Sequence, residues 1–473
     1  MHLQPRLTLT TPGQREKIHK DALYLLNTVG IQVESDAALD RFKATGAPCE
    51  DGRVRIPREL VDRALDQAPS SVTVYNRLGE KQFELGGKDD PDAVFGVGVT
   101  NLQYQDPATG EINPFSRQDM ARSAVLCQRL DSFDCIATPG VIQDEPPESA
   151  DLYGVIEMAA HTVKPIILLI SNSDCFDPAL ELCRQLGKYE DLAQNPWVVP
   201  YVNPITPLIL NAETSRKMET AISCGLPLIY SNYGMSGATC PITPGGTLAV
   251  LTAELLAGLV YGQLIREGAP MILGSLPAAF DMQQAGSFYS PQSLLLNLAC
   301  AEMMAHYHLP HCGTSGSGNG WGADLISAAC MDINHFTACL GAPGLVPFVG
   351  GSFDSLVFSP ELTVYADDVI ETSRAFNRGF SIADEAVGLE EAAQLGPGGN
   401  YLLSPLTGKH FRESSFTSRI WAYQSLEKWK DRGQVSAREI LNQKTLDLMA
   451  FPDRAVADRD TILEKGEKFM AGR

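Results

Sequence analysis

Residues 230–259 read YSNYGMSGATCPITPGGTLAVLTAELLAGL, and this stretch decides the architecture. An apolar run, Pro227-Leu228-Ile229-Tyr230, stops at Asn232. A loop rich in Gly, Pro and Thr follows, and a small-residue helix is predicted from near Thr247 to about Arg266. Strand, loop and buried helix make one βα unit of a parallel α/β fold. The loop is longer than a simple connection needs. Lengthened loops at the carboxyl ends of parallel strands are where α/β proteins place their sites.

The same rhythm extends outward from this unit. Strands are expected at Ala93–Val99, Asp134–Thr138, Pro165–Ile170, Val198–Val202, Pro227–Ser231, Pro270–Ser275, Leu309–Thr314 and Gly344–Gly350. Helices are expected between and after them, at Arg117–Leu130, Ala150–Thr162, Pro178–Tyr189, Ala212–Cys224, Thr247–Glu267, Pro291–Tyr307, Trp321–Leu340 and Pro360–Asn377. Eight alternations are the number that closes a (β/α)₈ TIM barrel, whereas an open doubly wound sheet needs no fixed count. The first βα turn carries no G-x-G-x-x-G, which weakens a dinucleotide-binding version of the open sheet.

The flanks read differently. Helical spacing over 13–30, Asp36–Ala44 and Arg58–Ala68 precedes a period-two pattern between Ser71 and Gly87, a predicted hairpin. Residues 1–90 are therefore expected to form an amino-terminal α+β cap, 91–380 the barrel, and 381–473 a carboxyl-terminal helical extension with a charged helix near Phe416–Lys430. That extension is expected to pack on the barrel exterior or on a neighbouring subunit of a homo-oligomer.

The net charge of −20 over 473 residues argues against nucleic acid and against anionic membrane surfaces as partners. The polar amino terminus, MHLQPRLTLTTPGQREK, does not read as a signal peptide. Apolar runs such as Val163–Ile170 are too short to span a bilayer. Eleven scattered cysteines without a C-x-x-C pair suggest reduced thiols and a cytoplasmic location.

Polar residues recur where the strands finish: Asn101, Gln103, Ser171, Asn172, Asn203, Asn232, Ser275, Thr314, Ser315 and Ser352. Amides and hydroxyls also end strands for turn reasons alone. As a set in a barrel they converge on one mouth. A mouth without paired carboxylates or clustered histidines does not resemble a two-carboxylate hydrolase or a metal hydrolase. Aromatic residues lie close by. Phe95 and Phe348 fall within strands and read as core, while Tyr104, Tyr233, Trp321 and Phe353 follow strand ends and are candidates for holding a quaternary ammonium. The histidines do not have metal-ligand spacing, and no metal site is expected. The glycine-rich stretch from Gly313 to Trp321 lacks the ending of a P-loop but follows strand seven, so a phosphorylated substrate stays open as an alternative.

Four segments together resemble the trimethylamine methyltransferase family of corrinoid-dependent methyltransferases. They are TVGIQVES at 28–35, the 230–259 signature, PHCGTSGSGNGW at 310–321 and GPGGNYLLSPLTGKHFRESSF at 396–416. The resemblance implies a (β/α)₈ barrel and methyl transfer from a methylated amine to Co(I) of a separate corrinoid protein. The cobalamin then belongs to that partner, and this chain holds no tightly bound cofactor. Founding members carry pyrrolysine late in the barrel, whereas here the strand-seven loop offers glycine, serine and Asn319.

A quaternary ammonium leaves as a neutral amine and needs no covalent electrophile, so the task reduces to positioning and desolvation. The non-pyrrolysine branch therefore suggests glycine betaine or a related quaternary amine as methyl donor. A binding-only betaine module is the other reading. Substrate-contacting candidates are Gln103, Tyr104, Asn203, Asn232, Tyr233, Trp321 and Phe353, with His311, or backbone amides of the Gly313–Gly322 and Gly234–Gly246 loops, for a carboxylate. Gly234, Gly237, Gly316, Gly318 and Asn319 are the loop positions expected to face the corrinoid.

Overall fold

A computed structural model describes residues 1–87, 92–313, 317–342, 344–383, 387–450 and 456–473. Eight strands run parallel: β1 (Val94–Val97), β2 (Phe133–Ile136), β3 (Ile166–Leu168), β4 (Val198–Val202), β5 (Leu228–Ser236), β6 (Met271–Asp281), β7 (His311–Cys312) and β8 (Leu345–Val349). Each pairs with the next, and β8 pairs with β1, so the sheet closes into a barrel. A helix follows each strand: α1 (Arg117–Arg129), α2 (Ala150–His161), α3 (Phe176–Leu186), α4 (Ala212–Ser223), α5 (Pro244–Ile265), α6 (Pro291–His306), α7 (Leu325–Leu340) and α8 (Pro360–Asn377). The eight expected alternations are all present.

Two features differ from the sequence reading. First, β5 does not stop at Asn232. It continues to Ser236, because β6 runs alongside it from the Leu228–Met271 pair to the Ser236–Ala279 pair. Each strand supplies the other's backbone partners, so the glycine at 234 does not end the ladder. Second, the hairpin Ser71–Tyr75/Lys81–Gly86 belongs to the barrel's own interior. Its Val72, Val74, Phe83 and Leu85 share one apolar cluster with Val94, Ile167, Val199, Ile229 and Ile272. Tyr75 donates its backbone N–H to Pro196, just ahead of β4, so the hairpin closes the amino-terminal end of the barrel. Only the carboxyl-terminal end is left for a site.

Helix α5 explains the apolar run in the signature. It is 22 residues long and contains an 18-residue window of mean hydropathy 1.7, enough by length and composition to cross a membrane, yet 89% of that window is buried in the fold. The barrel lies on one side, and the helices Pro12–Thr28, Asp36–Ala44 and Arg58–Gln67 pack on the other. A helix covered on both sides has no polar face to keep. Gly258 is where α5 crosses Tyr230, and a Cβ there would fall 2.2 Å from the Tyr230 ring.

The carboxyl-terminal region is held at its end and loose in its middle. Helix Ala437–Met449 packs against α8 and α1, and helix Arg459–Ala471 against α2 and α3. Arg77, itself buried, donates two hydrogen bonds of 2.7 Å to Asp458 and ties this end to the barrel base. The helices Leu389–Leu395, Pro405–His410 and Leu426–Asp431 bury no residue. The charged helix expected near Phe416–Lys430 is confined to Leu426–Asp431. Replacement Gly258→Ala is expected to destabilise the fold by about 1–3 kcal/mol, since the buried Tyr230 ring cannot yield without disturbing β5. A lowered melting temperature with an unchanged far-ultraviolet spectrum checks this.

Candidate active site

Alternation along β5 sorts its side chains between two environments. Ile229 belongs to the barrel interior, and Ser231 and Tyr233 share its side of the strand. Tyr230 and Gly234 lie against α5, and Asn232 shares theirs. Thus Ser231 and Tyr233 reach the mouth from inside, and Asn232 does not.

The floor of the mouth is built by β4, β5 and β8. Tyr201 meets Phe348 edge to face, with ring centroids 5.2 Å apart and planes at 75°. The Tyr201 and Ser231 hydroxyls are buried and have no hydrogen-bond partner of good geometry. Burial pushes the Tyr201 phenol well above its ordinary range, and the nearby Ser231 and Asn203 only partly oppose this. Asn203, at the end of β4, is solvent-exposed and donates its amide to the Ser231 carbonyl at 2.8 Å.

The rim comes from the loops after β6, β7 and β8. Strand β6 turns back as Gly286–Phe288 and brings Ser287 and Tyr289 over the mouth. Asn319 donates to the Tyr289 carbonyl at 2.8 Å. The Ser287 hydroxyl donates to the Asp354 carboxylate at 2.5 Å. Phe353, Asp354 and Ser355 all have left-handed backbones, with φ of 50°, 54° and 69°. The turn is fastened by Phe353 N–H to the Gly320 carbonyl at 2.9 Å and by Ser355 Oγ to Ser317 Oγ at 2.5 Å. Burial raises the Asp354 carboxyl, and its Ser287 hydrogen bond opposes that. Burial likewise raises the Tyr233 phenol, which faces Ser287 and, further off, Asp354.

Several expected contacts lie elsewhere. Asn232 is fully buried behind β5. Its amide donates to the Leu251 carbonyl and to Glu254, both at 2.9 Å, and its carbonyl accepts from Ser275. With those bonds made, it has little left to offer a ligand. His311 precedes Cys312, which faces the barrel interior, and its ring lies outward beside Asn297. Burial pushes His311 down to about 4, so it is a neutral imidazole away from the mouth and supplies no charge for a carboxylate. Tyr104 is buried between Phe115 and Phe358 in the small sheet beside the mouth. Gln103 lies in the same sheet, its backbone N–H bound to Leu356. Trp321 is 66% exposed and encloses nothing.

Phe353 is half-buried at the rim. Gly234 lies under α5, where a Cβ would meet Leu251 at 2.6 Å, so it faces no partner. Gly237 occupies a left-handed turn at the tip of β5. Gly318 and Asn319 stand at the rim, and Gly316, with Thr314 and Ser315, lies outside the described residues. The Gly318 N–H donates to Gly351, so it is not free to cradle a phosphate.

The sequence reading missed Glu254, Ser287, Tyr289 and Asp354. Glu254 is the lone acid in the apolar α5 stretch. It accepts hydrogen bonds from Leu208 N–H, Thr206 and Asn232 at 2.5, 2.9 and 2.9 Å, and burial pushes it up to about 7. Among the described residues, no group of three or more His, Cys, Asp or Glu side chains is arranged to hold a metal ion.

The family model for trimethylamine methyltransferases matches residues 2–473. The chain belongs to this family. It is 26% identical over 461 residues to a trimethylamine methyltransferase of Desulfitobacterium hafniense (strain DSM 10664 / DCB-2), covering 95% of this chain and 92% of the relative. It is 25% identical over 451 residues to a glycine betaine methyltransferase of Desulfitobacterium hafniense (strain Y51), covering 93% of each. The crystal structure of the Methanosarcina barkeri monomethylamine methyltransferase superposes with a TM-score of 0.51 at 10% identity, over 97% of this chain and 92% of that one, which speaks to the fold alone. Members of the family are methyltransferases, and this methyltransferase-family chain carries the barrel that goes with them.

Glu254 takes up its proton more readily when folded, near 7 against an ordinary 4.5. Its contribution to stability is complete below the ordinary value and is lost as pH rises through about 7. The melting temperature is therefore expected to fall more steeply between about pH 5 and pH 8 than that of Glu254→Gln, as measured by paired thermal melts.

Proposed function

We propose that this chain takes a methyl group from a quaternary amine held in the Tyr201–Tyr233–Tyr289 mouth and delivers it to Co(I) of a separate corrinoid protein. Glycine betaine is the donor we favour. The observation that carries the reading is the chemistry of the mouth. Among the described residues it offers aromatic rings, hydroxyls and the amides of Asn203 and Asn319, with the Asp354 carboxylate at the rim. Such a lining suits a methyl donor that is already positively charged. The acceptor's electron pair forms the new bond to the methyl carbon. The C–N bond breaks with its electrons staying on nitrogen, and a neutral tertiary amine leaves. No proton has to move. The chain's share is to strip water from the ammonium and aim one methyl outward.

The relative named as a glycine betaine methyltransferase supports this reading. The phosphate alternative loses support at Gly318, whose N–H is already bound. A binding-only module is distinguished by turnover.

Mixed with a Co(I) corrinoid protein and glycine betaine, the chain is expected to yield methylated cobalamin and dimethylglycine in equal amounts, followed by the change in the cobalamin spectrum. Absence of that change with glycine betaine, proline betaine, carnitine, choline and trimethylamine alike would overturn the proposal. Tyr233→Ala is expected to lower kcat/KM by roughly tenfold or more, the size of a desolvated cation–π contact.

A further inference from the structure

The mouth has two unlike ends, and neither is fully satisfied by the fold. At the floor, the buried Tyr201 and Ser231 hydroxyls lie against each other and near Asn203, and neither makes a hydrogen bond of full geometry to the fold, although buried polar groups nearly always do. The Tyr201 and Phe348 rings pack edge to face, a contact that phenylalanine at 201 would make equally well. A contact between the two hydroxyls uses one of their protons, so the pair keeps one to donate. At the rim, Asp354 accepts from neutral Ser287, and among the described residues no lysine, arginine or histidine sets its electrostatics. Holding a carboxylate in a partly desolvated place without a cation is costly. It is held there, moreover, in the middle of three successive left-handed residues.

We propose that these ends are the two poles of a site for a zwitterion: the floor hydroxyls take the substrate's carboxylate, and Asp354 with the Tyr233 ring takes its quaternary ammonium. The inference rests on the mouth being the substrate site, and it adds the charge pattern and the orientation of what binds. A simple cation leaves the remaining floor proton without an acceptor. A simple anion meets repulsion at Asp354. A betaine satisfies both ends at once. With its carboxylate on the floor, the N-methyl groups face the open end of the barrel, where an acceptor must approach. Asp354 is thereby a specificity-determining residue.

Calorimetric titration without any acceptor separates this inference from methyl transfer itself. The probes are glycine betaine, tetramethylammonium and tert-butylacetate, the last keeping the carboxylate and replacing the ammonium by an uncharged group of the same shape. Asp354→Asn is expected to weaken glycine betaine and tetramethylammonium by roughly tenfold or more, the size of a lost interaction with a charged group, and to leave tert-butylacetate unchanged or tighter. Tyr201→Phe is expected to weaken glycine betaine and tert-butylacetate and to leave tetramethylammonium unchanged. Both replacements preserve shape, and asparagine tolerates a left-handed backbone, so thermal melts should match the unaltered protein. The proposal is overturned if the unaltered protein binds none of the probes, if Asp354→Asn leaves both cationic probes unaffected, or if the two variants shift all three probes in parallel. A chain that shows the split response but moves no methyl keeps its two-pole site and loses only the methyltransferase reading.

Discussion

The parallel pairing of β5 with β6 carries more of this molecule than any other contact. It runs from Leu228–Met271 to Ser236–Ala279, while the other barrel strands are much shorter. Its lower half closes the barrel, and its upper half stands above the mouth as a wall. Because side chains alternate, the same ladder sends Ser231 and Tyr233 inward and Asn232 back to α5. A slip of one residue would exchange those roles and put Asn232 in the mouth. The register is set from behind by Tyr230 against Gly258 and by the bonds of Asn232 to Leu251 and Glu254.

That buried network also shows what the wall costs. Glu254 lies among apolar neighbours, and three hydrogen-bond donors only partly offset its desolvation. It links Thr206 and Leu208, in the loop after β4, to β5, so two neighbouring loops of the mouth share one anchor. The turn at 353–355 is strained in a different way. Left-handed backbones in non-glycine residues cost roughly 1–3 kcal/mol each and persist where surroundings hold them. Here the β7 loop holds them, through Gly320 and Ser317. The result is a carboxylate delivered to a place that no strand or helix would reach.

Much of the barrel was legible in the sequence. Strand and helix positions follow from hydrophobic periodicity and from Gly and Pro punctuation, and these are local properties. The small residues of α5 signalled close packing, which Gly258 and Gly262 confirm against Tyr230 and Met271. Asn203 and Asn319 were legible as mouth residues because they follow strand ends, whereas Tyr233 reaches the mouth from within β5. His311 and Asn232 also sit at strand positions, but their side chains leave the barrel on the other face, a parity that spacing does not reveal when the strand's true length is unknown. Ser287, Tyr289 and Asp354 gave no signal, since they sit on loops whose path depends on contacts with other loops.

The order of segments, the closure of eight βα units and the family to which they belong were determined by the sequence itself. Burial periodicity and backbone punctuation are written into neighbouring residues, and the family resemblance into their order. Which polar groups face one another across the mouth was decided only by the tertiary structure. Tyr201, Ser231, Tyr233, Ser287 and Asp354 come from four separate βα units, and their meeting depends on strand parity and loop-to-loop hydrogen bonds. The pleat can turn one residue of a pair inward and its neighbour outward, so adjacency along the chain carries no information about adjacency in the site.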